Sequence, residues 1–210
     1  MMKKLLIALM LCAPVVCGAQ NVWEMKDRPQ QKALFNKKDR SKDIPYLRGA
    51  VPEVDGKVQF DTIVALPGKT RQQIYDAALE YLTLQTTEEG QIDNLSRVMY
   101  QKPENGDLAA RYTEWLVFKN KALELDRTRF NYQIVAQCSD GSVKISIRNI
   151  SYDYDEERTP IHYTAEEWIS DEYAVNKKNT KLLPVSAKFR RKTVDRVKYI
   201  FETMASDLQK

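Results

Sequence analysis

The sequence predicts an α+β two-layer sandwich: an antiparallel sheet with two helices on one face, in the order β-α-β-β-β-β-α, with a small helix before the last one. Three observations predict it. Residues 57–66 alternate apolar and polar side chains with the period of a strand. Strand-like runs flank turn signals at Asn105-Gly106 and again at Asp140-Gly141. Residues 70–85 and 186–208 repeat apolar positions at helical spacing.

In the first strand Val58, Phe60, Thr62, Val64 and Leu66 share one face, and Lys57, Gln59, Asp61, Ile63 and Ala65 the other, so one side is buried and the other largely wet. Pro67-Gly68 ends the strand. Thr70 with Gln73 three residues on is a capping-box pattern, and Ile74, Ala77, Ala78, Tyr81 and Leu82 then form the stripe that packs the first helix on the sheet. Asn-Gly at 105–106 joins one hairpin. A two-residue turn at Asp140-Gly141 sets the register of the next: Cys138 opposite Val143, Ala136 opposite Ile145, Ile134 opposite Ile147 and Tyr132 opposite Asn149, all facing inward. Gln133, Gln137, Lys144, Ser146 and Arg148 then face outward. Thr164 and Glu167 start a short helix over a sheet edge. Ser186 is placed to cap the last helix, whose stripe is Val194, Val197, Phe201, Met204 and Leu208, with Lys188, Arg191, Lys192, Arg196 and Lys198 away from it.

The chain opens MMKKLLIALMLCAPVVCGAQ, the charged, apolar and small-residue order of a secretory signal peptide over residues 1–19. The apolar run is too short to anchor in a bilayer, and no later run is long enough to cross one. The alternative is a lipoprotein acylated at Cys12 or Cys17, although Leu11 and Val16 precede these cysteines where a small residue is usual. Residues 20–43 read as a polar linker and 44–210 as one domain. Cleavage after Ala19 removes Lys3 and Lys4 and leaves 31 Lys+Arg against 29 Asp+Glu, too small a surplus for a dedicated nucleic-acid binder. The expected location is periplasmic or outer-membrane-associated.

Catalytic signals are poor. Cys138, the one cysteine left after cleavage, sits on the apolar side of its hairpin, where burial raises a thiol's pKa. His162, the single histidine, lies in an expected loop far along the chain from Cys138. The acidic run Asp153, Asp155, Glu156, Glu157 lacks the glycine and alternating ligand spacing of a calcium loop, and one His with one Cys is a poor zinc set. Without a recognised catalytic signature, no catalytic residue, metal or cofactor is assigned. The basic side of the last helix is placed to meet an anionic surface or an acidic envelope partner, although Asp195 and Glu202 interrupt it. The binding candidates are the outward residues Gln133, Gln137, Lys144, Ser146 and Arg148.

"YLRGAVPEVDGKVQF" entering "LPGKTRQQIYDAALEYL", with "AEEWI" and "FRRKTVDRVKYIFETM" nearer the end, resembles a domain-of-unknown-function family with a TATA-binding-protein-like (TBP-like) fold, common in secreted proteins of Bacteroidetes. The resemblance runs from Tyr46 to the C-terminus. It implies the fold and an envelope location, carries no established activity or catalytic residue, and does not import DNA binding, because function resides in sites rather than folds. The reading is an exported non-enzymatic domain that binds a ligand or partner in the cell envelope. A hydrolase with an unrecognised active site and a structural component of an envelope complex stay open beside it.

Overall fold

A computed structural model describes residues 21–25, 40–121, 124–155 and 158–210. The expected signal peptide, the middle of the linker, and Glu156 and Glu157 of the acidic run lie outside the described residues. The elements in chain order are α1 (Val22–Met25), a 3-10 helix (Arg40–Tyr46), β1 (Glu53–Val54), β2 (Lys57–Ala65), α2 (Arg71–Gln85), β3 (Arg97–Lys102), β4 (Asp107–Lys121), β5 (Glu124–Ser139), β6 (Ser142–Tyr154), β7 (Ile161–Thr164), α3 (Ala165–Trp168), α4 (Asp171–Ala174) and α5 (Ala187–Gln209). Each strand pairs antiparallel in the order β1-β2-β6-β5-β4-β3. β7 pairs with residues 151–154 of β6, beyond the stretch 142–148 that pairs with β2. The two long helices pack on one face, closing a core that includes Ile74 and Leu82 of α2, Tyr112 of β4, Ile134 of β5, Ile145 of β6 and Ile200 of α5. Among the described residues no helix is long and apolar enough to cross a membrane.

Local chemistry sets the element boundaries. The Thr70 hydroxyl accepts from Gln73 N, and Gln73 returns its amide oxygen to Thr70 N at 2.9 Å. Asp140, in the second hairpin turn, accepts Arg71 N at 2.7 Å, so the turn and the start of α2 hold each other. Gly106 leads into β4 at φ +78°, and a Cβ there would stand 2.2 Å from the Cys138 carbonyl oxygen. Only glycine allows that approach, which is closed by the bond from Cys138 N to Gly106 O at 2.8 Å.

The second hairpin follows the expected register from Cys138–Val143 through Ile134–Ile147 and Gln133–Arg148, then departs from it. A bulge puts Asn131 opposite Ser151, so Tyr132 does not face Asn149. Asn149 takes a left-handed φ of 54° and donates its amide to Gln133 Oε1 at 2.8 Å. The extra residue exposes Asn149 and turns Ile150 and Tyr152 inward, a shift that period-two reasoning cannot see. His162 lies in β7, paired with Asp153, rather than in a loop.

Two further differences concern α5. Ser186 occupies the N-cap position without capping; its hydroxyl donates to Tyr173 O at 3.3 Å. The buried face runs through Phe189, Thr193, Val197, Ile200, Met204 and Leu208, with Val194 and Phe201 only half-buried, and it includes Arg190 and Arg196. The helix is wedged between the sheet and the N-terminal segments, so it buries more than one narrow stripe.

Within the segment read as linker, residues 21–25 dock on the domain. The Asn21 amide bonds both backbone groups of Val117, at 2.9 and 3.0 Å, and Trp23 is only 7% exposed.

Candidate functional site

Cross-strand register orders the outward face into rows. One row is Gln59, Arg148, Gln133, Arg111 and Arg97, on β2, β6, β5, β4 and β3. The next is Asp61, Ser146, Val135, Ala109 and Tyr100, and the third is Ile63, Lys144, Gln137, Asp107 and Lys102. The middle row is short over three strands, at Ser146, Val135 and Ala109, and both rows beside it carry long side chains. The sheet therefore presents a shallow channel crossing its strands.

All five sequence-selected residues lie on this face. Gln137 and Arg148 are exposed and Gln133 and Lys144 half-buried, whereas Ser146 is only 7% exposed. Lys144 Nζ lies 3.5 Å from Asp61. Burial works to raise the Asp61 pKa, but hydrogen bonds from Ser146 and Gln59 and the Lys144 charge prevail and hold it below its ordinary value.

Sequence reading missed Arg97, Arg111, Arg127 and Trp115. Among the described residues none of Arg97, Arg111, Arg127 and Arg148 forms an ion pair. Arg97 and Arg111 are direct cross-strand partners, a placement that repels, and Arg111 Nε is buried without a hydrogen-bond partner. Arg127 stacks over the Trp115 ring, 3.7 Å from its centroid. Alternation along β4 contains the signal for Arg111 and Trp115. A bulge between Val98 and Tyr100 hides the register of Arg97.

The cations of α5 are arranged in the opposite way. Lys188 pairs with Asp126, Arg191 with Asp43, Lys192 with Glu24 and Lys198 with Glu202. Arg196, expected on the solvent side, is 0% exposed. Its Nε and Nη2 make a bidentate pair with Glu114 at 2.7 and 2.6 Å, Nη2 reaches Glu88 at 2.9 Å, and the guanidinium lies 5.6 Å from the Trp23 ring centroid. Burial opposes the Arg196 charge, but Glu114, with Tyr132 and Glu88, outweighs it and holds the pKa well above the ordinary arginine value. Burial pulls Glu114 toward its neutral form. Because a guanidinium keeps its proton, the bidentate geometry decides for an ionised pair. Arg190, also fully buried, donates to the carbonyls of Tyr46, Leu47 and Ile169 and to Asp171, tying the N-terminal segment to α5.

Cys138 and His162 stand apart: their partners Val143 and Asp153 are ten residues apart on β6, a span of roughly 33 Å. Burial pushes the Cys138 thiol up to about 11. His162 Nδ1 lies 2.7 Å from Asp153 Oδ1, and Asn131 donates to Asp153 Oδ2 at 2.9 Å. Burial works to raise the Asp153 pKa, but these bonds prevail and lower it. Among the described residues no cluster of His, Cys, Asp and Glu could hold a metal ion.

A single antiparallel sheet with its helices on one face and the other open defines an α+β protein of the TBP-like class. The profile of a family described as "Domain of unknown function (DUF4468) with TBP-like fold" matches residues 60–153. The crystal structure of a DUF4468 family protein from Bacteroides ovatus is 41% identical, with a TM-score of 0.75, and the alignment covers 83% of this chain and 97% of that one. The chain belongs to the DUF4468 family. A TBP-like protein from Parabacteroides distasonis, 20% identical over 76% of this chain and 97% of its own, shares the fold with a TM-score of 0.63. Comparison with curated proteins gives no match.

Proposed function

We propose that this chain is an exported, non-enzymatic binding domain of the cell envelope that meets its ligand or partner with the outward face of the sheet. One observation carries the reading: Arg97, Arg111, Arg127 and Arg148 lie on the uncovered face without ion pairs among the described residues, whereas the α5 cations are paired within the fold. Arg111 Nη2 donates to Leu95 O at 3.5 Å and Arg127 stacks on Trp115, but without an ion pair these strand-held guanidiniums keep donors for a ligand. Gln133, Gln137, Lys144 and Arg148 line the same face, and Ser146 acts through Asp61 rather than by contact. Export rests on the residue order of the first nineteen positions. The hydrolase alternative has less support, since among the described residues no hydroxyl or thiol bonds the His162 or Asp153 side chain, the Thr128 hydroxyl reaching only the Asp153 backbone carbonyl, and the pair lies on an open surface.

A photo-crosslinking residue placed at Gln137, or at Glu202 on α5 as control, tests this in the producing cell, with adducts identified by mass spectrometry and fractions separated into periplasm and membranes. Envelope-fraction adducts from position 137 and none from 202 are expected. Equal labelling from both positions, or a product retained in the cytoplasm, contradicts the proposal.

A further inference from the structure

We infer that the channel across β6, β5 and β4 binds an acidic glycan carrying one carboxylate per disaccharide. The inference rests on the outward face being the binding surface and names what it holds.

The row Gln59, Arg148, Gln133, Arg111, Arg97 forms one wall of the channel and alternates carboxamide and guanidinium over its first four members. Neighbouring strands lie about 4.8 Å apart, so Arg148 and Arg111 stand roughly 10 Å apart and the row spans about 19 Å. An extended peptide repeats side chains on one side every ~6.6 Å. Duplex DNA carries a charge every ~1.7 Å and a single strand every ~3.4 Å. The peptide spacing does not fall on guanidiniums two strands apart, and a nucleic-acid strand, with about three phosphates per ~10 Å, would leave most of its charges without a guanidinium. A pyranose residue advances by nearly one strand spacing, so a disaccharide repeat brings successive carboxylates to the exposed Arg148 and to the terminal nitrogens of Arg111, whose Nε is buried and whose Nη2 also donates to Leu95 O at 3.5 Å. Gln133, between them, faces the intervening sugar and can bond its hydroxyls.

Two features of the free protein fit an anion. Arg97 directly opposite Arg111 costs stability that a bound carboxylate restores. The small residues Ser146, Val135 and Ala109 leave room for a chain, and Tyr100, 45% exposed at the end of that row, offers a ring for the last sugar.

Calorimetric titration of the chain from residue 20 to 210 with a hyaluronan octasaccharide tests the inference, with carboxyl-reduced octasaccharide, poly-glutamate and oligothymidylate as comparison probes. Saturable binding weakened about tenfold or more by Arg111→Gln and by Arg148→Gln is expected, with Lys198→Gln as the unaffected control. Arg111→Gln relieves the repulsion from Arg97, so it should fold with a thermal midpoint at or above that of the parent. Absence of binding, equal binding of the carboxyl-reduced glycan, equally tight binding of either other polyanion, or indifference to both arginine substitutions overturns the inference. If crosslinking from position 137 still captures an envelope partner in that case, the outward face remains the binding surface and only its occupant is wrong.

Discussion

Arg196→Met leaves the Glu114 carboxylate with one fewer charge partner at a position 3% exposed, under a helix and beside aromatic rings. Gln91 still donates to Glu114 at 2.8 Å, but Glu88 on the far side adds like charge. Removing one member of a buried ion pair typically costs about 3–5 kcal/mol, because the survivor is left buried and uncompensated. For a domain of this size that corresponds to a thermal midpoint lower by roughly 6–20 °C. Glu114→Leu alone should cost a similar amount by orphaning the guanidinium. The double variant Glu114→Leu/Arg196→Met places apolar groups of comparable volume in the site, and replacements of that kind are often neutral or stabilising. The two changes should therefore couple by at least about 3 kcal/mol. Urea unfolding at neutral pH, followed by far-UV circular dichroism for the parent, both single variants and the double, measures that coupling. Single variants within about 1 kcal/mol of the parent, or a double variant as unstable as the two singles summed, would refute the assignment of a desolvated ionic pair at the centre of this fold.

Gly106→Ala should lose more than about 1 kcal/mol in the same unfolding assay, because the new Cβ meets the Cys138 carbonyl oxygen and the left-handed backbone is strained; an unchanged midpoint would remove the close approach from the account. Asp153 has a folded pKa below its reference of 3.8, so its contribution is complete above that reference and is lost as pH falls through the folded value. The stability difference between the parent and Asp153→Asn, measured by urea midpoints between about pH 5 and pH 2, should therefore shrink toward acid, and a difference independent of pH would count against the ionised network. Cys138, buried and pushed up to about 11, should react with an aromatic disulfide reagent at neutral pH only as fast as the domain opens; immediate modification in the native state would contradict its burial.

What was legible in the sequence is local and periodic. Alternation along β2, the Thr70–Gln73 capping box, Asn105-Gly106 and the Asp140-Gly141 turn each act within a few residues, and together they specify the two hairpins and which face is wet, whereas the pairing of β2 with β6 and of β4 with β5 emerges only in the folded sheet. The outward placement of Gln133, Gln137, Lys144, Ser146 and Arg148 follows from that turn. The bulge at Asn149 did not follow from it, because an extra residue leaves no mark on a hydrophobic pattern until its neighbours are known. Whether a charge is free or paired is likewise decided only in three dimensions. Arg196 and Arg148 read alike as basic residues on amphipathic elements. One meets Glu114, 82 positions away in the chain, and disappears into the core; the other forms no ion pair among the described residues and stays in water. An ion pair needs its partners within a few ångströms, and chain separation says nothing about that distance. The sequence alone therefore determined the layers and the faces of this protein. Only tertiary packing decided that the α5 cations are paired within the fold and that Arg97, Arg111, Arg127 and Arg148 stand on the sheet without ion pairs among the described residues.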